Sequence, residues 1–258
     1  MKKYAYVCVL STDNYLDGAL ILNENLRELN SKYELLCVVN DRLSEESIKT
    51  LHRFGIKTKN TRAIKTNMGI GRWNYTFDKL NIFSLVEYDK IVFLDLDLLI
   101  LKNIDHLFDW DSIAAGLDMP WHDDEFNSGV MVIEPNMDLY NDMIEKLYAT
   151  KYNYTGDQDF LNDYFGKNFI ALPLKYNLMR TLYLDSELLY KNCTKRGVYK
   201  YIKNEPKDAV IIHYIRSLKP FMDKIPFNDE YYLTYKKYMD LIKAMKWFRW
   251  ILNLFQLI

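Results

Sequence analysis

The fold of this chain is constrained most by the alternation of apolar, strand-like segments with segments of helical periodicity over its first 55 residues. Residues 4–10 and 34–39 are short runs rich in Val, Leu, Tyr and Cys, which is typical of buried strands. Each is followed by apolar residues at helical spacing, over residues 18–29 and 44–54, and Ser44 is a suitable N-cap for the second helix. This order predicts a mostly parallel sheet with helices on its faces, which binds ligands beyond the carboxyl ends of its strands.

The rest of the chain continues this pattern without a repeat, a low-complexity tract or a long linker. We predict helices over residues 75–86, 138–149 and 157–165, and strands over residues 90–94, 113–116, 130–133 and 209–213. The expected fold is one α/β, Rossmann-like domain over residues 1–226, with a helical extension over residues 227–258. Such a length buries a large core without disulfides, so Cys8 and Cys37 are predicted to be buried thiols of a reducing compartment.

Two carboxylates interrupt the most apolar run of the chain, residues 91–101. At a spacing of two, Asp95 and Asp97 point to the same side of an extended strand. Burying two like charges together is costly, and the run contains no Lys or Arg, so a divalent cation is an economical way to compensate them. Oxygen ligands at a strand end suit Mg²⁺ or Mn²⁺, whereas the simpler interpretation is a pair of solvated acids where the strand ends.

A second cluster follows the late strand, at His213 and Lys219. The imidazole of His213 is a suitable third ligand, and nitrogen ligation would favour Mn²⁺ over Mg²⁺. Lys219 is a suitable point charge for the oxygens of a diphosphate. The alternative is a histidine satisfied by backbone groups and a lysine at the surface.

Two further clusters carry groups that suit a sugar ligand. Asn127 and Ser128 supply neutral hydrogen-bonding groups just before a strand, and Gly129 lets the backbone approach a ligand closely. Asp157 stands at the start of a predicted helix, where it acts either as a helix cap or as a carboxylate directed at a reacting carbon.

Six short motifs in order make the chain similar to the glycogenin-like family 8 glycosyltransferases, and the resemblance spans most of residues 4–221. Each motif is weak alone, but their order is specific. They are Leu10-Ser11-Thr12-Asp13-Asn14-Tyr15 with Gly18-Ala19, Asp78-Lys79-Leu80, Phe93-Leu94-Asp95-Leu96-Asp97, Phe126-Asn127-Ser128-Gly129-Val130, Gly156-Asp157-Gln158 with Leu161-Asn162, and His213-Tyr214-Ile215 with Lys219-Pro220-Phe221.

This resemblance implies a GT-A nucleotide-diphospho-sugar transferase fold, a UDP-sugar donor and Mn²⁺ as cofactor, with Mg²⁺ as the second choice. It implies retention of the anomeric configuration, with glucose or galactose as the expected hexose. The implied metal ligands are Asp95, Asp97 and His213, and the implied catalytic residues are Lys79, Asp157 and Gln158. The implied donor-binding residues are Leu10, Thr12, Asn14, Tyr15, Lys79, Leu96, Asp118, Asn127, Ser128 and Lys219.

Two other functions compete with the transferase. A nucleotide-sugar binding protein would keep such a pocket without turnover, although it would not need all of the acidic, basic and imidazole groups. A nucleotidyltransferase would place Lys or Arg in the loop after the first strand, and residues 11–18 contain neither. If the chain is a transferase, Asp157 acts as a nucleophile or the departing diphosphate takes the acceptor proton, and the sequence does not separate these routes.

The acceptor is a glycan, a lipid-linked sugar or a protein, and the net charge of −1 gives no electrostatic case for nucleic acid. Near the C-terminus, Trp247, Trp250, Ile251 and Leu254 form a helical stripe among basic residues. We expect this helix to pack on its own domain or on a second subunit in a homodimer, with contact to a membrane surface as the competing hypothesis. The first apolar segment is better explained as a strand than as a signal peptide, so the expected location is cytoplasmic.

Overall fold

The computed structural model describes residues 2–66, 71–118, 124–179, 208–215 and 230–254. The α-helices within these ranges are α1 (Leu16–Glu28), α2 (Glu45–Arg53), α3 (Met137–Ala149), α4 (Asp157–Phe165) and α5 (Glu230–Leu254). The strands are β1 (Tyr4–Leu10), β2 (Leu35–Val39), β3 (Lys57–Asn60), β4 (Lys90–Leu94), β5 (Leu98–Ile100), β6 (Ala114–Leu117), β7 (Phe126–Ile133), β8 (Ile170–Leu172), β9 (Leu178–Met179) and β10 (Ile211–His213).

A seven-stranded sheet in the order β3-β2-β1-β4-β7-β6-β8 forms the centre of the fold. Strands β3, β2, β1 and β4 are parallel, whereas β7 runs antiparallel to both β4 and β6. The predicted α/β class and the parallel first half are therefore confirmed. Because β7 reverses direction, its amino end meets the carboxyl ends of β1 and β4 at one edge of the sheet.

Helices cover both faces of this sheet, as the alternation of side chains along β1 requires. Tyr6, Cys8 and Leu10 face the core beneath α1, α2 and α5, while Ala5 and Val7 face the core beneath α3 and α4. Cys8 also lies opposite Cys37 on β2, and both are buried free thiols, as predicted. The third cysteine lies outside the described residues.

A second, three-stranded sheet joins segments that are far apart in the sequence. Its order is β5-β10-β9, with β10 antiparallel to β5 and parallel to β9. The expectation that Asp95 and Asp97 lie together in one extended strand was wrong, because β4 ends at Leu94 and β5 begins at Leu98 in this other sheet. Backbone hydrogen bonds to the two different sheets separate β4 from β5. Asp95 N donates to Gly129 O, and Tyr214 N donates to Asp97 O.

Other element boundaries differ in smaller ways. Helix α1 begins at Leu16, directly after a 3₁₀ turn over Asp13–Tyr15, and β7 starts four residues before the predicted strand. Of the residues predicted as a helix over 75–86, those as far as Ser84 belong to a 3₁₀ segment, Gly71–Ser84. Its Asp78 carboxylate accepts from Asn40 and from the backbone N of Ile64, so bonds to the surrounding chain hold this segment in place.

Helix α5 packs on its own domain from residue 231 to residue 246. Tyr232, Tyr235 and Ile242 are buried in the core that α1 shares, and Tyr238 accepts a hydrogen bond of 3.1 Å from the amide of Asn25. Among the described residues, no helix is long and apolar enough to cross a membrane. The division at residue 226 falls outside the described residues and stays our proposal.

Candidate metal centre and active site

Three side chains with metal-binding groups converge where β4 ends. His213 Nε2 lies 3.3 Å from Asp97 Oδ1 and 3.8 Å from Asp95 Oδ2. One ligand atom from each residue can be chosen so that all three lie within 4.8 Å of one another. Asp97 and His213 are buried, whereas the Asp95 side chain is 28% exposed and opens this group to a ligand.

Pairing within the small sheet brings these residues together. β10 runs antiparallel to β5, so His213 lies opposite Leu98, the residue after Asp97. The turn between β4 and β5 then directs both carboxylates towards the imidazole. The predicted convergence of the two acids is therefore real, but a turn between two sheets produces it rather than the pleat of one strand.

The chemistry of this group fits a divalent cation. Two carboxylates and an imidazole form a mixed oxygen and nitrogen donor set, which suits Mn²⁺ better than Mg²⁺. Burial raises the pKa of the Asp95 carboxyl, and Asp97 raises it further, although Lys79 opposes both effects. A cation at this position would compensate charge that the fold places in a largely buried site.

Lys79 supplies part of that compensation, which the sequence argument did not foresee. Its Nζ atom lies 3.1 Å from Asp95 Oδ1 and 2.8 Å from Asp157 Oδ2, and it donates a 3.0 Å hydrogen bond to Ser128 Oγ. Although burial by itself lowers the pKa of the Lys79 ammonium, Asp157 and Asp95 raise it above its ordinary value. Lys79 therefore stays charged and links the metal-binding group to Asp157.

Asp157 occupies the first turn of α4 with its carboxylate buried. Ser128 donates a 2.8 Å hydrogen bond to Asp157 Oδ2, and the backbone N of Asp157 donates to Thr76 Oγ1 at 3.1 Å. The N-cap of α4 is Gly156, so the interpretation of Asp157 as the cap was wrong. Its carboxylate instead contacts Lys79 and Ser128.

A chain of side-chain amides leads from the metal-binding group to α4. Asn177, just before β9, lies 2.9 Å from His213 Nδ1 through its Oδ1 and donates through Nδ2 to Asn127 Oδ1 at 2.9 Å. Asn127 donates through its own Nδ2 to Gln158 Oε1 at 2.8 Å. Asn127 and Gln158 stand in two of the six motifs named above, whereas Asn177 stands in none of these six and is recognised by its position in the structure.

Three glycines leave room for these groups. A Cβ atom at Gly129 would lie 2.3 Å from Cε1 of His213, and one at Gly116 would lie 2.6 Å from Cβ of Asn177. A Cβ atom at Gly18 would lie 2.4 Å from the carbonyl oxygen of the residue between the two acids. The backbones of β7, β6 and α1 therefore pack directly against the residues of the site.

The remaining residues expected to bind the donor lie around the same edge of the sheet, except one. Leu10 ends β1, and Thr12, Asn14 and Tyr15 follow it, with Asn14 exposed. Leu96 is buried between the acids, and Asp118 is buried at the end of β6. Lys219 lies outside the described residues.

Comparisons with known proteins identify the family of this chain. The sequence profile of Glycosyl transferase family 8 matches residues 6–224. The chain is 36% identical to inositol phosphorylceramide glucuronosyltransferase 1 of Arabidopsis thaliana over 166 residues, covering 63% of this chain and 30% of that protein. It is 32% identical to glycogenin-1 of Caenorhabditis elegans over 233 residues, covering 84% of this chain and 50% of that one. The chain thus spans half or less of the length of these two relatives.

Solved structures show the same fold. The crystal structure of the glycosyltransferase GlyE in Streptococcus pneumoniae TIGR4 superposes with a TM-score of 0.67 at 22% identity, covering 92% of this chain and 60% of that one. The fold is therefore that of the GT-A glycosyltransferases. With a family profile that covers most of its length, the chain belongs to glycosyl transferase family 8.

Proposed function

We propose that this chain transfers a hexose from a UDP-sugar to an acceptor hydroxyl with retention of configuration, and that Asp95, Asp97 and His213 hold the Mn²⁺ ion this requires. The convergence of these three side chains at the ligand-binding edge of the sheet carries the proposal. Bound there, the ion would stabilise the negative charge of the UDP leaving group.

The neutral groups of the pocket favour a neutral hexose, with glucose or galactose as the first candidates. Asn127 and Gln158 offer amides that suit sugar hydroxyls, and Lys79 is already bound by two carboxylates. A sugar acid would need a cation that is free to pair with its carboxylate. Glucuronosyltransferases are nevertheless among the relatives, so UDP-glucuronate must be tested beside UDP-glucose and UDP-galactose.

The proposed reaction breaks the bond between the anomeric carbon and UDP and forms one from that carbon to the acceptor oxygen. In the first route, Asp157 attacks the anomeric carbon as UDP leaves, and the acceptor oxygen then displaces the Asp157 carboxylate while the acceptor proton passes to a UDP phosphate oxygen. In the second route, the acceptor attacks from the same face that UDP leaves, and its proton passes to the departing phosphate oxygen. Lys79 and Ser128 hold the Asp157 carboxylate in place for either role. Mass spectrometry of enzyme that has turned over donor without acceptor separates the routes, because only the first leaves a sugar on Asp157.

The function is tested by measuring UDP release from a panel of UDP-sugars in the presence of Mn²⁺, with EDTA as the control. We expect release from one hexose donor and its loss on chelation. Donor binding without release from any member would favour the nucleotide-sugar binding protein over the transferase.

The acceptor remains a glycan, a lipid-linked sugar or a protein. We propose contact with a membrane surface only for the last turns of α5, because Trp247 is 64% exposed whereas Tyr238 and Ile242 are buried. A chain that ends at Lys246 keeps the buried residues of α5, so it is the right comparison for liposome co-sedimentation. Equal co-sedimentation of this chain and the full chain would exclude that contact.

A further inference from the structure

Two backbone groups fix the orientation of the amides in the pocket. The backbone N–H of Gly129 donates to Asn127 Oδ1 at 3.0 Å, and a backbone N–H can only donate. The oxygen and nitrogen of the Asn127 amide are therefore assigned without reference to any other side chain. The backbone N of Ser128, 3.4 Å from Gln158 Oε1, orients the Gln158 amide in the same way.

The orientation of Asn127 determines that of Asn177. Because Asn127 Oδ1 is an acceptor, Asn177 must present its Nδ2 to it, which leaves Asn177 Oδ1 facing His213 Nδ1. An amide oxygen only accepts, so Nδ1 of His213 must carry the proton. In the neutral imidazole the lone pair then lies on Nε2, the atom that faces Asp95 and Asp97.

The residues around Asn177 favour its contact with His213. Asn177 is 3% exposed and His213 is 3% exposed, so water does not compete for the bond between them. The Asn177 side chain fits only because Gly116 has no Cβ, which would lie 2.8 Å from Nδ2. On the next strand, Gly129 leaves the matching space for the imidazole.

We propose that Asn177 is a positioning residue that holds His213 in the Nδ1–H form with Nε2 directed at the metal position, and that joins this ligand through Asn127 to Gln158 in the donor pocket. This inference rests on the proposed metal-dependent function, and it adds a residue and a coupling to it. Partners of this kind, behind a ligand, orient the ligand and tune its metal affinity. The geometry predicts that metal affinity and donor binding both depend on Asn177.

Two substitutions separate the two bonds of Asn177. Asn177→Leu keeps the number of side-chain heavy atoms and their branching but removes both bonds, so the Kd for Mn²⁺ should rise by about 10- to 100-fold, the usual effect of losing such a partner. Asn177→Asp keeps an acceptor for His213 but places a carboxylate oxygen against Asn127 Oδ1. Mn²⁺ binding should then be retained, whereas the KM for the donor should rise.

The test combines the protonation site of His213 with direct Mn²⁺ binding. Long-range ¹H–¹⁵N spectra of the metal-free protein at about pH 8.5, roughly two units above the ordinary pKa of histidine, report which ring nitrogen carries the proton. His213→Gln assigns the signal among the four histidines. Mn²⁺ affinity is read from the electron paramagnetic resonance of the free ion, without any donor.

We expect the Nδ1–H form in the wild type, its loss in Asn177→Leu, and the affinity changes given above. Asn23→Leu removes another buried amide, which bonds to Phe54 O far from the site, and should leave both readouts unchanged. An Nε2–H form in the wild type, or an Asn177→Leu variant that binds Mn²⁺ as tightly as the wild type, would overturn the inference. Failure of the wild type to bind Mn²⁺ would instead count against the proposed function, and the spectra would still decide the role of Asn177.

Discussion

Gly129 and His213 are in such close contact that a Cβ atom at Gly129 would lie 2.3 Å from Cε1 of the imidazole and 2.8 Å from its Nδ1. The same atom would lie 2.9 Å from Asn127 Oδ1. Strand β7 therefore forms one wall of the proposed metal site with bare backbone, in direct contact with the imidazole.

Gly129→Ala should consequently displace His213 and raise the Kd for Mn²⁺ by about 10-fold or more. Gly166→Ala is a useful control, because its φ of 56° makes alanine strained there while a Cβ would meet no atom within 4 Å. Calorimetry on both variants should show weaker Mn²⁺ binding only in the first. If Gly129→Ala binds Mn²⁺ as tightly as Gly166→Ala, His213 does not bind the ion in the observed position.

Lys79→Met should destabilise the metal-free protein by roughly 3 kcal/mol, because it leaves the carboxylates of Asp95 and Asp157 without their cation. Mn²⁺ should restore more stability to this variant than to the wild type, since the ion can neutralise one of the two groups. Urea unfolding with and without Mn²⁺ measures both effects. Lys49→Met removes an exposed ion pair with Glu45 and should leave the free energy of unfolding nearly unchanged. An equally small change for Lys79→Met would contradict the prediction.

Asp105 should make the free energy of unfolding decrease as the pH is lowered into the acid range, independently of the active site. Burial alone raises its pKa, but hydrogen bonds from Lys32 N, Ser31, Tyr6 and Asn103 outweigh burial and hold the pKa below its ordinary value. A carboxyl whose pKa is lower in the folded protein than in the unfolded chain stabilises the fold at pH values above the unfolded-state pKa of about 3.9. This stabilisation is lost as the pH falls through the folded-state pKa.

Asp105→Asn should therefore lower the free energy of unfolding by about 1 kcal/mol at pH 7. The gap from the wild type should close below about pH 3. Denaturant titrations of both proteins across this range measure the gap directly. A gap that stays constant with pH would show that the charge of Asp105 contributes nothing.

Asp157→Asn should lower kcat by on the order of 10²- to 10⁴-fold while the donor KM changes little, because the amide keeps the shape but lacks the charge. Asp159→Asn, two residues further along α4, is the matched control, since Asp159 is exposed and accepts from the neighbouring Thr155 N. If the two variants have the same kcat, Asp157 takes no part in the reaction.

Sequence patterns predicted those elements that depend on local rules. β1, β4 and α4 have the predicted bounds because long apolar runs or a helical repeat define them. β3 was missed because Lys57–Asn60 is polar and lies at the edge of the sheet. The separate strand β5 was also missed, since an apolar run does not reveal that its two halves join different sheets.

The proposed metal ligands were predicted from motifs, but their surroundings were not. The pairing of β10 with β5 joins residues more than a hundred positions apart, and no local rule gives its register. Lys79 was expected near the donor, yet its bonds to both Asp95 and Asp157 depend on how its segment packs. Asn177 belongs to none of the six motifs, and its position in the structure identifies it.

In the proposed reaction, Asp95 and Asp97 bind the ion that makes sugar transfer possible. The most direct test is the rate of UDP release as Mn²⁺ is titrated into the wild type and into the Asp95→Ala, Asp97→Ala double variant, with folding of both checked by circular dichroism. We predict saturable, Mn²⁺-dependent release by the wild type and none by the folded variant at any Mn²⁺ concentration. Release that is indifferent to Mn²⁺, or equal in the two proteins, would contradict the account.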